Sequence, residues 1–137
     1  MYRIRVHCIY SGLSWAANKQ LDNHWISIDM GGPNLVTAIA TKGRNSATYQ
    51  QRVTSYTLDS SLDGKVWTAI RNPFYPESKV FAGNFDLDTE VRHDILVVAR
   101  FVRLNVLTFS RTPSLRWGIF ACDGMLYVCC TLTHTII

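Results

Sequence analysis

The chain is short of charge and has no long apolar run. Charged residues make up 18% of its 137 residues, against 47% apolar. That balance excludes a disordered polyelectrolyte and fits a folded domain. No stretch of 18 apolar residues occurs, so nothing reads as a membrane-spanning helix. The first fifteen residues carry Arg3, Arg5 and His7 and lack the apolar stretch of a secretory leader, so no signal peptide is expected. There is no Asn-x-Ser/Thr triplet to accept an N-linked glycan.

Reactive constellations are missing too. No Gly-x-Ser-x-Gly, His-Glu-x-x-His or phosphate-loop pattern occurs. The histidines, His7, His24, His93 and His134, are scattered, and no nucleophile has a base beside it in sequence. An enzyme is therefore not expected. The cysteines, Cys8, Cys122, Cys129 and Cys130, match no zinc spacing, which needs ligand pairs two to four residues apart. Their even number signals disulfides only in a secreted setting.

What remains is a mildly basic, β-patterned chain. Ten arginines and four lysines leave a formal charge of +4. This favours anionic partners such as acidic lipid headgroups or sulfated glycans. No basic run is interleaved with stacking aromatics, so nucleic acid is not expected. At this length one domain is expected, and it buries roughly 70% of its unfolded surface.

The apolar period is two, not 3.6. Ile26, Ile28 and Met30 alternate with Ser27 and Asp29. Val102, Leu104 and Val106 alternate with Arg103 and Asn105, and Thr54, Tyr56 and Leu58 share one face. Residues 91–98 and 115–122 read as further strands. Gly31, Gly32 and Pro33 are expected to end the first clear strand, and Asp63-Gly64 to close a tight hairpin between residues 57–60 and 65–68. No amphipathic helix longer than about two turns is apparent. The expected fold is all-β, an antiparallel jelly-roll sandwich or barrel of about eight short strands.

Three places carry candidate chemistry. The polar loop at residues 42–51 holds Lys42 and Arg44 to meet anions, Asn45 to hydrogen-bond and Tyr49 to stack. Asn84, Asp86 and Asp88 alternate, with Glu90 next in line, as oxygen ligands do when a loop wraps calcium. The EF-hand glycine and terminal glutamate are absent, and no other cofactor is suggested. Trp15 lies in a polar segment and is read as an exposed platform for a sugar ring. Trp25 is read as packing at the start of a core strand.

A series of segments in order resembles one family. Residues 25–31 (Trp-Ile-Ser-Ile-Asp-Met-Gly), 36–44, 51–56 and 61–67 (Ser-Leu-Asp-Gly-Lys-Val-Trp) begin it. Residues 81–86 (Phe-Ala-Gly-Asn-Phe-Asp), 91–93, 99–104 (Ala-Arg-Phe-Val-Arg-Leu) and Leu115-Arg116 leading to Cys122 complete it. Together they resemble the discoidin domain, also called the coagulation factor V/VIII type C domain.

The resemblance implies an eight-stranded, galactose-binding-domain-like barrel whose loops, the spikes, bind at one end. Residues 42–51 occupy one spike position. In the family, spikes bind phosphatidylserine membranes in factor V/VIII and lactadherin relatives, sugars in lectins, and proteins in adhesion receptors. Membrane-binding spikes carry Leu, Phe or Met tips, whereas this loop offers Ala47 and Tyr49, so glycan or extracellular protein is the expected partner. Anionic lipid is the alternative, and an accessory carbohydrate-binding module of a larger enzyme another.

The family usually has a first strand and first spike upstream of the segment at Trp25, and this chain begins too late to hold them. The discoidin-like domain is therefore taken as residues 1–124, with an apolar tail at 125–137. Cys122 corresponds to the family's closing cysteine, whose usual partner lies in the missing segment. Cys8 could substitute if the two Cα atoms come within about 7 Å. Gly118 and Ala121 replace the family's usual glutamate and glycine near that cysteine. The expectation is a piece of a larger extracellular or cell-surface protein.

Overall fold

The computed structural model describes residues 3–5, 14–17, 23–122, 127–129 and 133–135. Among these there is no helix. The strands are β1 (Arg3–Arg5), β2 (Trp15–Ala16), β3 (Trp25–Lys42), β4 (Arg52–Ser61), β5 (Thr68–Ala69), β6 (Phe81–Ala82), β7 (Val91–Ser110), β8 (Ser114–Cys122), β9 (Tyr127–Cys129) and β10 (Thr133–Thr135). Every pairing between them is antiparallel.

Two strands organise the rest. β3 runs for 18 residues and β7 for 20. They form one long bent ribbon, with Trp25 opposite Asn105 at one end and Thr41 opposite Val91 at the other. β4 flanks the half of β7 that holds residues 101–110, and β8 flanks the half of β3 that holds residues 35–42. Each half of the ribbon thus belongs to a different wall. Ile26, Leu58 and Leu104 from one wall share a buried cluster with Val36, Trp117 and Ile119 from the other. The strand path keeps two ends, at β1 and β5, so the described sheet is not closed into a barrel.

The bend explains one departure from the sequence reading. Gly31, Gly32 and Pro33 do not end the strand. They lie in a register shift between Asp29 and Asn34, inside β3. Gly31 has φ of +80°, a left-handed conformation that glycine adopts without a Cβ clash. Asp29 Oδ1 accepts the Gly31 N–H at 2.8 Å and fixes the bulge. Bulges of this kind bend a strand and strengthen its twist.

β4 shows the same effect. Tyr56 and Leu58 are buried as expected, but Val53 takes the core position in place of Thr54. Register shifts on either side of Ser55 reset the alternation. The Thr54 and Ser55 hydroxyls both bond the Thr108 hydroxyl, at 2.6 and 2.5 Å. The Asp63-Gly64 turn is present, with Gly64 at φ of +75°, but the connection is wider than a two-residue hairpin. Pairing stops at Ser60 with Thr68. Asp63 Oδ1 accepts the N–H groups of Lys65 and Val66 and shapes the longer turn.

Residues 127–129 pair with the end of β8, and residues 133–135 lie between β1 and β3. The described parts of the 125–137 tail therefore join the sheet. Cys8 lies outside the described residues, so its pairing with Cys122 does too.

Candidate functional site

The loops at one end of the walls form a cleft. β3 ends at Lys42 and β4 begins at Arg52, and residues 43–51 connect them across this end. The loop is closed at its base, where the Arg44 N–H donates to the Gln51 carbonyl at 3.0 Å. The Arg44 guanidinium also donates to Gln51 Oε1 at 2.6 Å and lies 4.3 Å from the centre of the Tyr49 ring. Further out, Ser46 Oγ accepts the Tyr49 N–H at 3.2 Å. These local bonds suit a loop rich in Ser, Asn and Gln, whose side chains bond nearby backbone.

A second loop, residues 83–90, rises beside the first between β6 and β7. The Gly83 and Asn84 N–H groups donate to the Thr54 and Val53 carbonyls at 2.9 and 2.8 Å. Asn84 is buried, and its Nδ2 donates to the carbonyls of Thr41 and Thr89 at 2.8 and 3.1 Å. Asp86 caps the turn. Its Oδ1 accepts the N–H groups of Asp88 and Thr89, and its Oδ2 accepts the Thr89 hydroxyl at 2.5 Å. The Thr89 hydroxyl, with that backbone bond, holds the Asp86 carboxyl below its usual range.

One buried side chain joins the two loops. Arg116 of β8 donates from Nε to the Gly43 carbonyl at 2.9 Å. Its Nη2 donates to the Leu87 carbonyl at 2.6 Å and to Asp88 Oδ1 at 3.1 Å. The loops also touch directly, since a Cβ built on Gly43 would stand 2.8 Å from the Leu87 Cα. Between the loops lies a cleft of about 500 Å3, lined by Arg44, Asn45, Ser46, Ala47, Gln50, Leu87 and Asp88. Its lining combines hydrogen-bonding groups with the apolar residues Ala47 and Leu87.

The family model for the F5/8 type C domain matches residues 9–121. The chain belongs to the F5/8 type C, or discoidin, family. It is 30% identical to discoidin, CUB and LCCL domain-containing protein 2 of Rattus norvegicus over 117 residues, 84% of this chain and 15% of that one. It is 31% identical to lactadherin of Bos taurus over 111 residues, 80% of this chain and 26% of that one. The chain thus spans about a quarter or less of these relatives. Discoidin II of Dictyostelium discoideum superposes with a TM-score of 0.69 at 27% identity, over 80% of this chain and 42% of that one. The C-terminal domain of a chitobiase from Bacteroides fragilis shares the fold, with a TM-score of 0.60 at 18% identity over 83% of this chain and 74% of that one.

In this discoidin domain the residues singled out in the sequence fall into three groups. Arg44 and Asn45 line the cleft, and Tyr49 stands beside it, half exposed under Arg44. Lys42 is the last residue of β3, half-buried opposite Arg116, and does not line the cleft. Trp15 is not an open platform. It pairs with Leu115 on β8, is half-buried and packs against the core. Its neighbour Ser14 accepts the Asn45 N–H at 2.7 Å, so this strand props the first loop. Trp25 is half-buried on the outer side of β3, with the Arg103 guanidinium 5.6 Å from its ring centre.

Asn84, Asp86 and Asp88 are each engaged by a different set of partners. Asn84 presents its amide nitrogen to two carbonyls, Asp86 is committed to its own turn, and Asp88 pairs with Arg116. Among the described residues no group of three His, Cys, Asp or Glu side chains could hold a metal ion. The alternating acids thus lie on the second loop, where Asp86 and Asp88 accept hydrogen bonds from the loop backbone, Thr89 and Arg116. Leu87, which lines the cleft, and Arg116, which joins the two loops, are not singled out by the sequence reading. The only sequence signal for Arg116 is an arginine on an apolar strand, flanked by Leu115 and Trp117, where an unpaired charge would be costly.

Proposed function

We propose that this chain is a non-catalytic recognition module for cell adhesion or matrix contact, acting outside the cell or at its surface, and that its cleft binds a glycan. The observation that carries this reading is the lining of the cleft. Arg44, Asn45, Ser46, Gln50 and Asp88 present donors and acceptors of both kinds around one opening. Sugar hydroxyls need such mixed partners, while a pocket for an apolar ligand needs few of them. Tyr49, 50% exposed at the margin, offers a ring face for the apolar side of a sugar. The bolting of both loops by Arg116 supports the reading, because a preformed site loses less entropy on binding.

A glycan array probed with the gel-filtered domain tests this. Binding to a defined set of sugars, retained in high salt and lost in Gln50→Ala, supports it. An array without signal from a folded sample rejects it.

A second reading is peripheral binding to anionic membranes. One observation favours it, since Phe85, 70% exposed, joins Tyr49 as a solvent-facing aromatic on the two loops, with the Arg44 guanidinium over the Tyr49 ring. Phosphatidylserine vesicles separate the two readings. Pelleting that disappears in high salt, with phosphatidylcholine as control, would favour the membrane.

A further inference from the structure

The β5 side of β4 carries two solvent-facing features. The first is a rigid tip. Residues 72–77 project beyond the Arg71–Ser78 bridge. The Tyr75 N–H bonds the Asn72 carbonyl, and the Phe74 N–H bonds Asn72 Oδ1, both at 3.2 Å. The Arg71 guanidinium donates to the Pro76 carbonyl. Pro73 and Pro76 fix their own φ angles. These bonds shape the backbone of the tip, on which Phe74 and Tyr75 stand 87% and 64% exposed.

The second feature is a socket. Leu62, Val66, Val97 and Val98 line a groove of about 450 Å3, with Asp63 at its rim. Leu62, Val66 and Val98 are all well exposed, and Leu35 lies opposite Val98 across the β3–β7 pair. Solvent-facing apolar side chains gathered around a groove offer a seat for an apolar group. Its volume falls in the range of pockets that accept aromatic groups.

Tip and socket flank the same short strand. Thr68 of β5 lines the groove, and Arg71 roots the tip three residues later. We propose that the chain self-associates through this flank, with Phe74 and Tyr75 of one copy seated in the groove of a second. A two-fold arrangement would seat both tips at once, because each copy offers both an anchor and a socket. Charge favours it. The root of the tip carries Arg71 and Lys79 against the single acid Glu77, and the rim of the groove carries Asp63. A bilayer would take up the tip but leave the groove unfilled. The cleft lies at the opposite end of β4, so each pair of chains would keep two clefts open for multivalent attachment.

Sedimentation equilibrium of the whole chain, from low to high micromolar concentration, tests the proposal. The wild type is expected to form dimers. The tip variant Phe74→Ala/Tyr75→Ala and the groove variant Val66→Glu should each weaken dimerisation by about tenfold or more. All three positions are exposed, so unchanged circular dichroism and urea midpoints confirm folding. Mixing the two variants should restore a heterodimer, since one tip and one socket remain intact. A monomer at every concentration overturns the proposal, and tip-dependent binding to phosphatidylcholine vesicles would then assign the tip to lipid. A dimer that both variants form with wild-type strength overturns it equally.

Discussion

Arg116 donates from its buried guanidinium to the Gly43 carbonyl at 2.9 Å, at the root of the first loop. The same side chain reaches the Leu87 carbonyl and Asp88 on the second loop. The width of the cleft is thus set by a residue of β8 that does not line it. In Arg116→Ala, the Gly43 and Leu87 carbonyls lose a charged donor and a void opens beneath both loops. A loss of about 2–4 kcal/mol in urea unfolding is expected, with ligand binding lost as well. Arg116→Lys supplies one charge without the fork and should recover only part of either.

Gly43 sets the closest approach of the two loops. A Cβ there would stand 2.8 Å from the Leu87 Cα and 3.0 Å from the Asp86 carbonyl oxygen. These are largely backbone atoms, so Gly43→Ala must push one loop outward. Faster amide exchange in residues 43–51 and 83–90, with weakened ligand binding, is the expected result. Exchange in the core strands should stay unchanged.

Gly83 meets a harder limit. A Cβ at this position would overlap the Val53 carbonyl oxygen of the neighbouring strand. Gly83→Ala should destabilise the whole domain by about 3 kcal/mol or more, because β4 itself would have to move. A thermal or urea midpoint measures this directly.

Asp29 gives a pH prediction. The two bonds from Arg100, at 2.8 and 2.9 Å, hold the Asp29 carboxyl below its usual range. The folded carboxyl stays ionised where the unfolded one takes up a proton, so the unfolded state binds more protons in acid. The contribution is complete above about pH 4 and is lost as pH falls through the lower folded value. Asp29→Asn keeps the acceptor for Gly31 and loses the ion pair. At neutral pH it should be less stable by about 1–2 kcal/mol, and the gap should narrow as urea unfolding is repeated below pH 4.

The walls of this fold were legible because their signals are local. Period-two alternation at Ile26 and Ile28, and at Val102 and Leu104, is imposed by the pleat and appears directly in the sequence. The bulge at Gly31 and the phase reset at Ser55 were not legible as such. A glycine pair followed by proline reads equally as a turn or a bulge, and the partner strand decides between them. The site was half legible for the same reason. The first loop stands out by composition, but Arg116 gains its role only when Gly43 and Leu87 are brought to it from 73 and 29 residues away. Acidic alternation at Asp86 and Asp88 suggested calcium because spacing does not reveal which hydrogen bonds a carboxylate already accepts.

The most direct test of the central claim is a glycan array run in parallel on the wild type and on a cleft variant, Asn45→Ala/Asp88→Asn. Both substitutions lie at exposed positions of the cleft, and buried Arg116 keeps its bonds to the Gly43 and Leu87 carbonyls when the Asp88 charge is removed, so the variant should remain folded. The account predicts a set of glycans bound by the wild type and lost by the variant. Equal binding by both proteins, or no glycan binding alongside selective pelleting with phosphatidylserine vesicles, would contradict it.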